Sequence, residues 1–178
     1  MFTALVYIAT VAIQVYQPAT GGYFNLGEAV IYLAAMVSHP LVAGLAGGVG
    51  AALADATTGF SIFAPGTLII KFTEGLTAGY LSRVIRKSST TTQKASMFTA
   101  TLLYGILVAI LGFKYLSGEA SLGTAWSSVT VKIPGLTWII IGAAVSLAIA
   151  LLYTRKMLGA EASPLLLAGL IMVVGYFL

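Results

Sequence analysis

The chain has 178 residues, of which 59% are hydrophobic and 8% are charged, and its formal net charge is +4. So few polar groups cannot coat a water-soluble globule, and the mean hydropathy of +1.01 agrees with that. We therefore expect an integral membrane protein surrounded by a lipid bilayer. The chain has no cysteine, which excludes disulfides, thiol catalysis and cysteine-bound metals. The basic residues gather beyond predicted helix ends, which indicates membrane topology rather than nucleic-acid binding.

Helices account for the apolar runs, because these runs lack the alternation of a barrel strand and backbone groups in lipid must pair within the protein. Six transmembrane helices are predicted in chain order, at about residues 2–17, 25–37, 40–58, 67–85, 97–116 and 134–153. The fold class is therefore an all-α membrane bundle. We expect a single membrane domain over 1–178, with a six-helix core at about 1–158 and a possible seventh hydrophobic segment at about 163–178.

Two stretches between the helices stand out. The segment "RKSSTTTQKAS" at 86–96 is the most hydrophilic part of the chain and is predicted to be a linker. Residues 117–133 carry Trp126 and are predicted to form a loop at the membrane interface, where indole rings tend to lie.

The positive-inside rule predicts the orientation. The fourth helix is followed by the basic residues Arg83, Arg86, Lys87 and Lys94, and the sixth by a basic pair at 155–156. Both loops are therefore expected in the cytoplasm. The amino terminus is then cytoplasmic in a prokaryotic plasma membrane. The loops at about 18–25, 59–66 and 117–133 lie outside, although Lys114 and Lys132 count against the last of these.

A few charged residues interrupt the apolar runs. Lys71 and Glu74 are one helical turn apart, Asn25 and Glu28 repeat this spacing, and Asp55 falls near the end of the third helix. All five lie toward the outer half in the predicted topology. Ionisable groups in hydrocarbon are costly and usually face the protein interior, so their convergence predicts a binding site. The alternative is a structural Lys71–Glu74 salt bridge with the other acids wetted at the interface.

The acids outnumber the lysine in this group, so a donor-rich ligand or a protonated carboxyl is expected. Tyr23, Phe24, Tyr104 and Trp138 are candidates to stack on a flat ring, although aromatic residues near helix ends are more often interfacial anchors. His39 has no metal partners in the sequence and is expected to be a solvated turn residue. We predict no metal site and no cofactor.

Catalytic motifs are absent from the sequence. It contains no HExxH zinc helix, no aspartate-rich prenyl-diphosphate motif, no GxSxG elbow and no Walker loop. We expect a protein that is not an enzyme. Energy for transport against a gradient must then come from an ion or from a partner protein.

Three stretches resemble a known family. They are "GGYFNLGEAVIYLAAM", "GGVGAALADATTGFSIFAPGTLIIKFTEGLTAGYLSR" and, more faintly, "IPGLTWIIIGAAVSLAIALLY". The sequence resembles the substrate-binding S subunit of energy-coupling factor (ECF) vitamin transporters, especially the pyridoxine and hydroxymethylpyrimidine branch. The resemblance is strongest over about 21–86.

This resemblance implies a six-helix protein that binds a small vitamin or precursor near its outer face. A transmembrane coupling subunit and cytoplasmic ATPases are the implied partners. Loop 21–24 would form part of a lid. The implied ligand-binding residues, together with the aromatic candidates, are Tyr23, Phe24, Asn25, Glu28, Asp55, Lys71, Glu74, Tyr104 and Trp138.

The sequence departs from the family pattern in three places, one of which is the hydrophobic segment at about 163–178, beyond the usual six helices. Where the first helix of the family carries an Ala-xxx-Ala pair for the coupling subunit, Ala4 is followed by Ile8, and Ala9 pairs with Ala12 at spacing three. Gly44 and Gly48 offer another close-contact face for a partner. Leu136 and Ile139 stand where the sixth helix often has Asn and Gln, so the substrate is expected to differ from the commonest ones.

Two other interpretations of the function remain open at this point. One is a self-sufficient, ion-coupled carrier or channel in which Asp55, Lys71 and Glu74 relay charge. The other is a scaffold subunit of a larger membrane complex that packs through its glycine faces and binds no small molecule.

Overall fold

The computed structural model describes residues 1–17, 22–115, 118–124, 127–159 and 162–177. Its helices and hairpin strands follow in chain order: α1 Phe2–Ala12, β1 Gln14–Gln17, β2 Gly22–Asn25, α2 Gly27–Val37, α3 Pro40–Thr57, α4 Ala64–Lys87, α5 Thr90–Tyr115, β3 Gly118–Thr124, β4 Ser127–Ile133, α6 Gly135–Thr154 and α7 Ala162–Phe177.

The chain forms two compact units. Unit 1 consists of Met1–Gln93 and Glu161–Leu178, and unit 2 of Lys94–Ala160. In unit 1, α4 packs against α2, α3 and α7, and α1 packs against α2 and α3. The predicted division into a core at 1–158 and an extra segment at 163–178 stays a prediction, although α7 packs directly on α4 within this unit.

The helical prediction is confirmed for most of the chain, but two antiparallel hairpins were not predicted. β1 pairs with β2, with Gln14 opposite Asn25, and β3 pairs with β4, with Gly118 opposite Ile133. The first helix therefore ends at Ala12 rather than near residue 17, because the chain turns extended at Ile13. The predicted interface loop at 117–133 contains the second hairpin, and Trp126 lies outside the described residues.

The linker predicted at 86–96 is wrong for most of its length. Helix α4 continues to Lys87 and α5 begins at Thr90. The Ser89 hydroxyl accepts a hydrogen bond from the Thr92 amide at 3.3 Å, which caps the start of α5. The Gln93 side chain donates to the Ile85 and Ser88 carbonyls at the end of α4. The polar residues of this segment therefore satisfy two adjoining helix ends.

The count of six membrane spans stays a prediction for the described residues. Three of their helices are long and apolar enough to cross a bilayer by length and composition, at Pro40–Thr57, Thr90–Lys114 and Gly135–Thr154. Helices α1, α2 and α7 are apolar but shorter. Helix α4 has 24 residues, or about 36 Å, but its charged side chains lower its hydropathy.

Glycines fix the distance between α3 and α4. A Cβ added at Gly48 would lie 2.8 Å from the Leu68 carbonyl oxygen, and one at Gly75 would lie 2.6 Å from the Ala43 carbonyl oxygen. Neither distance leaves room for a methyl group. Small residues let two helix backbones come close together. In a lipid bilayer the hydrophobic effect does little to bring helices together, so helix association depends on such close packing.

The same packing corrects a prediction about partner contacts. Gly44 and Gly48 are buried, and the side of α3 on which they lie packs against α4 rather than against a partner protein. On α1, Ala4 and Ala12 are exposed and Ala9 is half-buried, whereas Val6 and Thr10 form the buried face. A role for the three alanines at a partner interface stays a prediction.

Replacing Gly75 by alanine tests this packing. We expect Gly75→Ala to lower the free energy of unfolding by about 1–3 kcal/mol, because the new methyl group overpacks against the α3 backbone. The matched control is Gly66→Ala, since a Cβ there meets nothing within 4 Å. The control should be neutral or slightly stabilising, because alanine favours helix more than glycine does. Thermal unfolding in detergent measures both, and equal effects would contradict the close contact.

Candidate functional site

Lys71 is the centre of a buried polar group in unit 1. Its side chain lies on α4 and the residue is 3% exposed. Its Nζ donates to Glu74 Oε2 at 3.0 Å and to Glu28 Oε1 on α2. The Tyr32 hydroxyl donates to Glu74 Oε1 at 2.6 Å. We call these four residues the Lys71 cluster.

Helix periodicity explains why these side chains meet. Lys71 and Glu74 are three residues apart on α4, and Glu28 and Tyr32 are four apart on α2, so each pair shares a helix face. Isolated ions in this environment would be costly, and pairing them offsets the loss of water. The convergence expected for Glu28, Lys71 and Glu74 is thus present in the structure.

Helix α7 adds an aromatic residue that the sequence analysis missed. The Lys71 ammonium lies 5.6 Å from the centroid of the Tyr176 ring, within cation–π range. The Tyr176 hydroxyl is 3.2 Å from the Thr67 hydroxyl on α4. More than one hundred residues separate Tyr176 from Lys71, so no local spacing could have predicted this contact.

One carboxylate oxygen of the Lys71 cluster has no hydrogen-bond partner in the part of the chain that the structure describes. Glu74 is 0% exposed and both of its oxygens accept hydrogen bonds. Glu28 Oε2 is buried and lacks a hydrogen-bond partner among the described residues, although the Glu28 side chain as a whole is 27% exposed. A buried acceptor left unpaired is unfavourable. The cluster therefore has the capacity to accept one more donor.

Asp55 lies in a second polar contact of unit 1. It is 5% exposed near the end of α3, and its Oδ1 accepts from the Tyr23 hydroxyl at 2.5 Å. The Tyr23 ring lies 4.7 Å from the Phe60 ring, centroid to centroid. Burial, and then the hydrogen bond to Asp55, raise the pKa of the Tyr23 phenol well above its ordinary value. The contact joins the first hairpin to α3.

The other predicted site residues have different surroundings. The Asn25 side chain accepts from the Gly27 amide at 2.8 Å, so it supports the start of α2. The Phe24 side chain lies outside the described part of the structure. Tyr104 and Trp138 belong to unit 2, where the Trp138 indole covers Gly112. Their roles in binding stay predictions.

Metal binding finds no support in the described residues, where no group of three or more His, Cys, Asp or Glu side chains comes together to hold an ion. His39 instead accepts a hydrogen bond from the Leu41 amide at 3.3 Å and caps α3.

Removing the lysine charge tests the ion pairing. We expect Lys71→Met to lower stability by about 3–5 kcal/mol, because two carboxylates then lose their buried counter-ion. Adding Glu74→Gln should restore part of that loss, since it removes one of the two negative charges. The control is Lys94→Met, at an exposed position, which should change stability by less than about 0.5 kcal/mol. The measurement is the melting temperature in detergent, and an equal change in the Lys71→Met and Lys94→Met variants would contradict the pairing.

Removing the Tyr23 hydroxyl tests the second contact. Tyr23→Phe should cost about 1–3 kcal/mol, because it leaves the buried Asp55 carboxylate without this donor. Tyr7→Phe is the matched control, since the Tyr7 hydroxyl bonds to Thr57 at 3.2 Å in an exposed position. Thermal unfolding of the two variants should differ clearly, and a loss at Tyr7 as large as that at Tyr23 would refute this assignment.

Comparison with known proteins gives two matches. A family model described as the S component of the ECF-type riboflavin transporter matches residues 1–155. A protein of Pyrococcus woesei, described as an uncharacterized protein in the gap 3′ region, is 41% identical over 108 residues, which are 61% of this chain and 68% of the relative. No solved structure matches the chain. The range matched by the family model includes the Lys71 cluster but not α7, which supplies Tyr176.

Proposed function

The chain belongs to the family of S components of ECF-type riboflavin transporters, and we propose that it binds a small heteroaromatic vitamin or vitamin precursor at the Lys71 cluster. As a family member it is a multi-pass membrane transport protein for a vitamin-type substrate and is not an enzyme. The identity of the substrate and the residues that hold it are the content of the proposal.

The unpaired Glu28 Oε2 is the observation that carries the proposal. A donor from a ligand, such as an N–H, an O–H or a protonated ring nitrogen, would complete its hydrogen bonding. Part of the Glu28 side chain is exposed, so a ligand can approach this residue, and contact with the buried Oε2 then requires the side chain to move. Lys71 bonds to both Glu28 and Glu74, so these ion pairs hold the Glu28 carboxylate in position.

Charge and aromaticity narrow the ligand class. With both glutamates ionised, the cluster carries two negative charges against one positive charge, which favours a cationic or donor-rich ligand. The rings of Tyr176 and Tyr23 lie in the same unit and are suited to a flat ring. Pyridoxine and hydroxymethylpyrimidine have a flat basic ring with hydroxyl donors, and the sequence motifs resemble that branch. They are the first candidates.

Riboflavin is the second candidate, because it is the substrate named in the description of the matching family. Its ring carries an imide N–H and its side chain carries several hydroxyl donors. Either of these groups has the donor that Glu28 Oε2 lacks among the described residues.

Transport requires a partner in this proposal. The sequence contains no Walker loop, so the energy is supplied by cytoplasmic ATPases through a transmembrane coupling subunit. The amino terminus is cytoplasmic, and the end of unit 1 that carries the first hairpin faces outward, where the vitamin arrives.

Ligand-dependent stabilisation tests the proposal. The purified protein is melted with a panel of B vitamins and precursors that includes pyridoxine, hydroxymethylpyrimidine and riboflavin. A ligand at one hundred times its dissociation constant adds about 2.7 kcal/mol of stability. Glu28→Gln should weaken the binding of the stabilising compound by at least about tenfold, since hydrogen bonds to charged groups contribute about 1.5–3 kcal/mol.

The control is Lys94→Gln, at an exposed position outside the Lys71 cluster, which should leave affinity unchanged. Folded protein that responds to no compound would refute binding and favour a scaffold. Uptake that continues without any ATPase and follows the membrane potential would favour the ion-coupled carrier.

A further inference from the structure

Two neighbouring cavities lie at the end of unit 1 where α2 ends, α3 begins and α4 ends. The larger has a volume of about 620 Å³ and the smaller of about 250 Å³. Arg83 and Lys87 line both. Neither cavity includes a residue of the Lys71 cluster, so the proposed vitamin site does not account for them.

The larger cavity is an open apolar groove between α3 and α4. Leu41, Leu76, Tyr80 and Val84 line it. Leu76 and Val84 are eight residues apart on α4, so the groove follows that helix for about 12 Å. Leu41, Tyr80 and Val84 are exposed to the surroundings, which for a membrane-spanning chain include lipid. A hydrocarbon chain fits a groove of this composition.

The smaller cavity is basic, with three cationic side chains beside the apolar Met36 and Val37. Its lining consists of the last residues of α2 together with Ser82, Arg83, Arg86 and Lys87 of α4. Ser82 is 3% exposed, and its hydroxyl has no hydrogen-bond partner among the described residues. Arg83 donates to the Ser38 carbonyl at 3.1 Å, which holds its guanidinium beside α2 at the junction of the two cavities. An unpaired hydroxyl among three cations is suited to an anion with several acceptor oxygens.

We propose that this end of unit 1 binds one anionic membrane phospholipid. Its phosphate lies beside Ser82, Arg83 and Lys87, and one of its hydrocarbon chains follows the groove past Tyr80. The basic cavity suits the phosphate headgroup and the apolar groove suits the hydrocarbon chain, so one amphiphilic molecule fits both. An acidic protein segment would also satisfy the basic residues, but the adjoining apolar groove favours a lipid, which the bilayer supplies at this depth.

Lipid titration tests the proposal on the intact protein in mild detergent. The melting temperature is followed against phosphatidylglycerol, phosphatidylcholine of the same chain length, and inorganic phosphate alone. Phosphatidylglycerol should act at a concentration at least about tenfold lower than phosphatidylcholine, and high salt should reduce this difference. Inorganic phosphate should have little effect, because it cannot use the groove.

The variant Arg83→Gln/Lys87→Gln should bind phosphatidylglycerol about thirtyfold more weakly, since each basic residue near an anionic lipid contributes about fivefold. Lys87→Gln alone leaves the Arg83–Ser38 hydrogen bond intact and should cost about fivefold, which keeps the test valid if the double variant folds poorly. The control Lys94→Gln/Arg155→Gln removes the same charge from exposed positions outside both cavities and should retain the lipid preference.

Three results would overturn the proposal. Equal responses to the two lipids would exclude headgroup recognition. Stabilisation by inorganic phosphate as strong as that by phosphatidylglycerol would make this a free-anion site. Loss of a co-purifying coupling subunit in the Arg83→Gln/Lys87→Gln variant, with no lipid preference in the wild type, would assign the surface to a protein partner.

Discussion

A charged lysine buried inside a membrane protein is unfavourable without counter-ions, and this constraint links α2 to α4 in unit 1. Lys71 meets it with Glu74 from its own helix and Glu28 from α2. The pairing fixes the rotation of α2 and α4 about their axes, since both acids must point toward the same ammonium. Tyr32 donates a hydrogen bond to the other oxygen of Glu74, while one oxygen of Glu28 stays unpaired among the described residues. The stabilising contact and the open binding position therefore belong to the same cluster.

The cluster depends in turn on the close approach of α3 and α4. Gly48 and Gly75 leave no room for a methyl group between the two helices. A Cβ added at Gly47 would lie 2.9 Å from the Lys71 carbonyl oxygen and close to Ile31 of α2, so α3 also supports the helices that carry the ion pairs. Small residues on one helix thus set the position of charged residues on another.

Local spacing in the sequence predicted the parts of this site that lie within single helices. The three-residue interval between Lys71 and Glu74 gave their shared face, and the intramembrane charge of Glu28 indicated that it turns inward. Tyr32 was within reach of the same reasoning, because it follows Glu28 by four residues. The glycine-rich third helix was recognised as a close-contact face, but the sequence did not show that α4 occupies it.

The parts that the sequence did not predict depend on contacts between distant segments. The first hairpin forms because Gln14–Gln17 pairs with Gly22–Asn25, and neither strand alone carries a strong period-two pattern. Tyr176 reaches Lys71 only through the packing of α7 on α4. The start of α5 was predicted too late because a run of Ser and Thr resembles a linker, whereas here Ser89 caps a helix.

A crystal structure of the protein with its stabilising vitamin bound would show whether Glu28 holds the ligand. We expect a ligand nitrogen or hydroxyl within hydrogen-bond distance of Glu28 Oε2, with Lys71 still bonded to both glutamates. A ligand bound away from Glu28, with this oxygen still unpaired, would contradict binding at the Lys71 cluster and leave the cluster as a purely structural ion pair.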